Sequence, residues 1–291
     1  MRTPALSLLL TLLAAGAIAA EEAGDSLDFY SPQNLVRFAD SLEMEGDYIR
    51  AAEELERALA LLGAEPEVVP ALYRRIAEAY RHGGDLERAL KSYERWRGLA
   101  ASAEDRAASA ARIAYTYYLM ERYQQSLEVL AAEGCTPATP QAGGEEPALV
   151  LCLDLLTLRR WDEAASVAAA GESESARTLR ALALRGAEGS RKSAVAAALM
   201  STVVPGLGKF YAGTAGDGLF SLLSIGTLVT LSVLSFHAEG VRSAEGWIAA
   251  SLAAVLHAGN IWGSAQAARR YNDRLDQTIL HDVAAVAAGL F

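Results

Sequence analysis

The stretch IAEAYRHGGDLERALKSY, residues 76–93, carries the pattern that decides the fold of the first half of this chain. An alanine-rich segment leads into the turn Gly83-Gly84-Asp85, and a second segment rich in Ala and Leu follows it. Small residues such as Ala77 and Ala89 would let two helix axes approach closely. The stretch therefore predicts a helical hairpin, which needs stacked neighbours to bury its apolar face.

The same pattern occurs four times between about Pro32 and Ala170. Successive turn positions are 37 or 38 residues apart, and a small residue follows each of them five positions later. The turn residues are Gly46, Gly84, Glu121 and Arg159, and the small residues are Ala51, Ala89, Ser126 and Ala164. Hairpins repeated in this way stack into one continuous core.

This pattern resembles the tetratricopeptide repeat (TPR), whose basic period is 34 residues. The second copy carries the likeness best, through Ile76-Ala77, Tyr80, Gly84-Asp85, Ala89 and Tyr93. The resemblance implies an all-α solenoid of helical hairpins over residues 32–188, with a groove that binds a protein or peptide partner. The candidate exposed contacts in that groove are Asn34, Arg37, Tyr73, Arg74, Arg75, Tyr115 and Tyr118. The alternative is that each is an ordinary solvated or packing side chain.

The net charge of −10 lies in this first half. Residues 21–189 carry 30 acidic and 18 basic side chains, whereas residues 190–291 carry 6 acidic and 7 basic ones. This balance argues against a nucleic-acid surface, which needs clustered Lys and Arg. It indicates either a solvated helical surface or an acidic groove for a basic partner.

Residues 1–20 predict a secretory signal peptide. Arg2 gives a positive start, Leu6–Leu13 forms an apolar core, and Ala17-Ile18-Ala19 is an A-x-A cleavage site. An uncleaved anchor is the alternative. Residues 21–31 are then a linker, and the repeats are expected outside the cytoplasm.

Residues 189–275 predict a membrane domain. Residues 218–238 and 246–268 contain no Asp, Glu, Lys or Arg, and each run is long enough to cross a bilayer as a helix. Residues 193–208 are also uncharged but shorter, which indicates either a third short span or a re-entrant segment. The positions of the Lys and Arg residues favour three crossings. A buried soluble hairpin is the alternative to any crossing.

The apolar tail, residues 276–291, is too short to cross, and it is expected to lie on the membrane or to pack on the bundle. The string PGLGKFYAG, residues 205–213, predicts a turn between membrane helices. Its glycines permit close backbone approach, and its aromatic residues suit the interface. The spacing of a phosphate-binding loop fails, because Phe210 follows Lys209. The motif residues are Pro205, Gly206, Gly208, Lys209, Phe210, Tyr211 and Gly213.

This string resembles the Gly-x-x-Gly-x-x-x-Phe-Tyr-x-Gly signature of TM2-type membrane domains, although its glycines are closer together. Together with Gly216–Phe220 and Gly259–Gly263, it is more similar to a bacterial family of repeat-bearing membrane proteins without an established activity. The resemblance implies an architecture, a helical membrane hairpin or three-segment bundle, and implies no reaction.

The last apolar run carries two polar residues and a pair of glycines. His257 and Asn260 share a helical face, where polar groups usually point into a bundle. A structural hydrogen bond and proton or ion handling are the two roles open to them. Gly259 and Gly263 form a Gly-x-x-x-Gly face that would permit close packing and is a candidate oligomerisation surface.

The two cysteines, Cys135 and Cys152, could form a disulfide in an exported protein. On the repeat alignment they belong to neighbouring helices. The alternative is that Cys152 is only a small buried residue. Neither cysteine has partners at metal-ligand spacing, so no metal site and no cofactor are predicted.

The chain shows no catalytic constellation, since its four histidines are isolated and its serines lack a nucleophile setting. The sequence therefore predicts a non-enzymatic scaffold of the bacterial cell envelope. It would be anchored in the lipid bilayer of the inner membrane, and its extracytoplasmic repeats would bind a protein or peptide. The alternative is an accessory subunit of a transport or membrane-protein insertion system that acts through its membrane helices.

Overall fold

The computed structural model describes residues 30–62 and 68–291, and these residues form an all-α fold, as predicted. The chain divides into two compact units, of which the first ends at Arg180 and the second begins at Ala181. The predicted signal peptide, residues 1–20, and nearly all of the predicted linker, residues 21–31, lie outside the described residues.

The first unit is a row of helix hairpins in which each helix packs against the next. Short turns connect the two helices of each pair, as expected for antiparallel neighbours. The pairs are α1 Pro32–Glu45 with α2 Tyr48–Leu62, α3 Val69–His82 with α4 Leu86–Leu99, α5 Ala103–Leu119 with α6 Tyr123–Ala132, and α7 Glu145–Thr157 with α8 Trp161–Ala168.

The four predicted turn positions share one backbone conformation. Gly46 and Gly84 have φ values of 80° and 82°, and Glu121 and Arg159 both have a φ of 59°. The left-handed region suits glycine because other residues carry a Cβ that is crowded there. The turn is therefore kept in the third and fourth hairpins although the glycine is not.

The small residues of the pattern lie between the paired helices. Every one of them is at most 1% exposed, as the packing argument requires. They are Ala39, Ala77, Ala114 and Cys152 in the first helices, and Ala51, Ala89, Ser126 and Ala164 in the second helices.

Helix α9, Glu174–Glu188, follows the hairpins and runs into the second unit. That unit also contains α10 Ala194–Val203, α11 Leu207–Tyr211, α12 Ala215–Glu239 and α13 Ala244–Ala288. The predicted apolar tail is therefore no separate segment, since α13 is one helix of 45 residues that continues to Ala288. Its residues Ile279 and Val283 are buried.

Helices α12 and α13 are long and apolar enough to cross a membrane, judged by length and composition. They form an antiparallel hairpin that turns through the 3-10 segment Gly240–Arg242. The Ser232 hydroxyl donates to the carbonyl of Gly246 over 2.9 Å. The ring of Phe236 meets Trp247 edge to face, with 5.3 Å between the ring centroids.

Helix α10 has 10 residues, which is about 15 Å at the standard rise and half the thickness of a bilayer core. At its start, the Ser193 amide donates to the hydroxyl of Tyr211 over 3.1 Å. Tyr211 ends α11, so the chain comes back to the place where α10 began. The pair α10–α11 therefore forms a short hairpin whose ends lie together, and the choice between a third crossing and a re-entrant segment stays a prediction.

Candidate functional site

One surface of the first unit combines arginine and aromatic side chains from α3 and α5, and we call it the α3–α5 face. The Arg74 guanidinium donates to Glu78 over 3.0 Å and lies 5.5 Å from the centroid of the Trp96 ring. Arg112 reaches the same Glu78 carboxylate at 3.9 Å. Burial lowers the pKa of Arg112, and the neighbouring Glu78 partly opposes this shift.

The aromatic part of the α3–α5 face continues along α5. Arg81 of α3 lies 5.9 Å from the centroid of the Tyr115 ring. Tyr115 stacks on Tyr118 at 6.1 Å, and Tyr118 meets Tyr123 at 5.7 Å. Arginine over tyrosine is a favourable cation–π arrangement. The face thus brings cations and rings together on a unit whose overall charge is acidic.

The expectation that Tyr115 is exposed is wrong, because its side chain is only 2% exposed. Burial also raises its pKa. Tyr118 is half-buried, and Tyr73 is half-buried against the hydrophobic core. Stacking on Tyr118 and contact with Arg81 cover Tyr115, so only Tyr118 of this stacked pair has surface available to a partner.

Three further predicted contacts have other settings. Arg37 is exposed on α1, and Asn34 is half-buried on the same helix. Arg75 is ion-paired with Asp40 and Glu43. Arg75 therefore ties α3 to α1, which is a structural role.

Arg81, Arg112 and Glu78 were not among the sequence-predicted contacts. The spacing of Arg74 and Glu78, four residues apart on one helix, is a signal that could have found their ion pair. The approach of Arg112 could not be found in this way, because it depends on how two helices distant in sequence pack.

A buried carboxyl group lies between α6 and α7. Asp154 is fully buried, and the Ser126 hydroxyl donates to its Oδ2 over 2.5 Å. Its other oxygen has no hydrogen-bond partner in the part of the chain that the structure describes. Burial raises the pKa of Asp154 to about 8. The signal in the sequence is one acid within the apolar run of residues 147–156.

The two cysteines are free thiols in the structure, so the predicted disulfide is not formed. Cys135 donates to the carbonyl of Pro140 over 3.4 Å, and Cys152 donates to that of Ala164 over 3.5 Å. Burial raises their pKa values to about 11 and about 12. Such thiols are poorly reactive, which agrees with the alternative of Cys152 as a small buried residue.

In the second unit, the glycines of the PGLGKFYAG string allow three helices to meet closely. A Cβ at Gly206, whose φ is 86°, would collide with the carbonyl of Gly218 on α12. A Cβ at Gly208 would collide with the carbonyl of Ala197 on α10. The amide of Gly208 also donates to the Ser201 hydroxyl over 2.9 Å. Pro205 precedes this contact, and Gly213 has a φ of 83° in the turn before α12.

The next residues of the string connect α11 to α12 and α13. Lys209 donates from Nζ to the Ser221 hydroxyl over 2.8 Å, and its stem lies 3.6 Å from an ideal Cβ at Gly263. Phe210 packs on Gly218. Gly263 therefore serves a contact within this unit, while Gly259 is exposed with open space beside it. Oligomerisation through this pair of glycines stays a prediction.

The last turn of α10 meets the polar residues of α13. His257 Nε2 lies 3.3 Å from the carbonyl of Thr202, in the last turn of α10. The hydroxyls of Ser201 and Ser264 are 2.7 Å apart. Asn260 is 4% exposed, and neither atom of its side-chain amide has a partner among the described residues. His257 makes one contact between α13 and α10, and the roles of His257 and Asn260 both stay predictions.

No protein-family model matches this chain, and no curated protein is significantly similar to it. Within residues 30–62 and 68–291, no group of three or more His, Cys, Asp and Glu side chains could hold a metal ion.

Proposed function

We propose that this protein is a membrane-tethered scaffold of the bacterial envelope and not an enzyme. In this proposal its hairpins, which resemble TPRs, bind a protein or peptide through the α3–α5 face. The observation that carries the proposal is the cluster of Arg74, Arg81, Arg112 and Tyr118 on adjoining helices. Arginine, tyrosine and tryptophan are the residues that most often dominate the energy of protein interfaces.

The charge of the α3–α5 face indicates the chemistry of the partner. It contains three arginines and the carboxylate of Glu78, and a second carboxylate, that of Glu146, interacts with Arg112. The face is therefore more basic than the acidic unit around it, which favours a segment with acidic and apolar residues. This proposal replaces the acidic groove for a basic partner that the net charge had left open.

Site-specific photocrosslinking of the full-length protein in its own membranes would test this. A benzophenone amino acid at Tyr118 should give a discrete crosslinked product, and the additional change Arg112→Glu should abolish it. The matched control is the same probe at Leu61, which is 57% exposed on α2. Equal crosslinking at both positions, or none at Tyr118, would count against the α3–α5 face as the binding surface.

One observation favours the alternative of a transport or insertion accessory. Asn260 presents an unpartnered amide within the apolar run of α13, and polar groups inside membrane helices are often functional. Substitution by Asn260→Leu should then impair complementation of a deletion strain while protein levels stay normal. Full rescue by Asn260→Leu and by His257→Ala would remove this candidate.

A further inference from the structure

A pocket of about 560 Å³ opens beside the start of α12, and neither proposed function uses it. One wall is the segment from Lys209 to Thr214, together with Asp217 in the first turn of α12. The other wall is α13, from Trp262 to Thr278. The volume suits a ligand of a few dozen atoms at most.

The pocket collects positive charge. Three positively charged residues line it, Lys209, Arg270 and Arg274, and the only carboxylate that lines it is that of Asp217. Arg270 and Arg274 are four residues apart on α13, where like charges repel each other. Within the described ranges neither has an acidic partner within 4.0 Å. An anion between the two guanidinium groups would relieve their repulsion.

Two other arginines of this unit are placed differently. Arg185 is paired with Asp282 at 2.9 Å, and Arg191 is paired with Asp276 at 2.8 Å. The unit therefore neutralises the arginines that hold its helices together. Those in the pocket are left facing an open space of ligand size.

In the proposed membrane-tethered arrangement, the pocket would lie at the level of the membrane surface. Residues 246–268 of α13 are free of charged side chains, and Arg269 and Arg270 follow this run. Trp262 and Tyr271 line the pocket and are 66% and 37% exposed, as expected for aromatic residues at a membrane interface. Lys192 lies 5.5 Å from the centroid of the Tyr271 ring.

Guanidinium groups bind phosphate oxygens in a bidentate manner, with charge-assisted hydrogen bonds. The start of α12 also has no side-chain cap, so its first amide groups can support an anion nearby. We propose that this pocket binds the phosphate group of an anionic phospholipid headgroup. Basic pockets between membrane helices are a recurrent form of lipid recognition.

Native mass spectrometry of the full-length protein, released from micelles with added phosphatidylglycerol or phosphatidylcholine, would test the proposal. We expect one preferred site for phosphatidylglycerol. The double substitution Arg270→Gln with Arg274→Gln should weaken phosphatidylglycerol binding about tenfold, since each basic residue near a lipid surface raises the affinity severalfold. The control is Arg269→Gln, which removes one positive charge from an exposed neighbour outside the pocket and should change affinity less than twofold.

A substitution that raises the affinity for the lipid provides a second test, because a misfolded variant would bind the lipid less tightly. Asp217→Asn removes the one carboxylate of the pocket and should tighten phosphatidylglycerol binding about threefold. Equal affinity for the two lipids would overturn the proposal, as would equal effects of the double substitution and Arg269→Gln. Inorganic phosphate that displaces the lipid at millimolar concentration, with no preference between headgroups, would indicate a free anion site and also overturn it.

This inference rests on the proposed membrane tether. Alkaline carbonate extraction of the same variants separates the two ideas. Protein that is extracted from membranes would contradict the tether itself. Protein that stays in the membrane but shows no lipid preference contradicts only the headgroup site.

Discussion

Glu121 and Arg159 show that a backbone conformation can be kept without the residue that suits it best. Both have a φ of 59°, in the position that glycine holds at Gly46 and Gly84. A side chain in the left-handed region costs roughly 1–2 kcal/mol. The turn position held by Glu121 is therefore more strained than the one held by Gly84, although the two share one backbone geometry.

This strain gives a prediction for Glu121, which is exposed. Glu121→Gly should stabilise the protein by about 0.5–1 kcal/mol, because relief of strain exceeds the added flexibility of the unfolded chain. Urea titration of the full-length protein, followed by circular dichroism, would measure it. The control Gln124→Gly, inside α6, should destabilise the protein by about 1 kcal/mol. A loss of stability with Glu121→Gly would refute the strain argument.

The buried carboxyl of Asp154 gives a second prediction. Its pKa of about 8 lies far above the ordinary value, so the folded state keeps a proton that the unfolded chain releases. The free energy of unfolding should therefore fall as the pH rises from about 4 to about 8, by up to about 1.4 kcal/mol per pH unit. Urea titrations across this range would measure the slope.

Asp154→Asn should flatten this slope and stabilise the protein at pH 8, since an amide fits the site without ionising. Asp162→Asn, at an exposed position on α8, is the control and should leave the slope unchanged. An unaltered slope in Asp154→Asn would assign the pH dependence to other groups.

At the scale of helices, the sequence was a good guide wherever the deciding contacts are local. The turn positions and the small residues of the hairpins could be predicted because they repeat at a fixed spacing. The ring contact of Arg81 with Tyr115 could not, since it joins two helices through their packing. The folding back of α11 on α10 was open in the sequence as one of two alternatives, because the contact of Ser193 with Tyr211 depends on how the two helices pack.

The close packing of this hairpin gives a third prediction. Gly208→Ala places a methyl group against the carbonyl of Ala197, and forcing these helices apart should cost about 1–3 kcal/mol. The thermal midpoint of the detergent-solubilised protein, followed by size-exclusion chromatography, should fall. Gly216→Ala on α12 has open space around it and should leave the midpoint unchanged or raise it. Equal midpoints for the two variants would contradict the packing role of Gly208.

At the scale of the whole molecule, a two-span arrangement puts the repeats and the tail on the same side of the membrane. The export signal predicted in residues 1–20 would place that side outside the cytoplasm. The Lys and Arg residues at the same end of the spans would instead place that end in the cytoplasm, according to the positive-inside rule. We predict the outside, since the first segment usually dominates orientation.

Maleimide labelling of intact cells would measure this orientation. A cysteine introduced by Gln277→Cys should react with an impermeant reagent, whereas Val241→Cys, in the turn after α12, should react only after lysis. The native cysteines are 1% exposed and give no background. The opposite pattern would place the repeats in the cytoplasm.

Helix α13 has a mechanical consequence for the molecule. Its 45 residues extend about 67 Å, roughly twice the thickness of a bilayer core. Arg185 and Arg191 fasten the preceding chain to its outer half through Asp282 and Asp276. A force on that outer half would tilt the whole helix and so move Asn260, because no loop interrupts the helix between them.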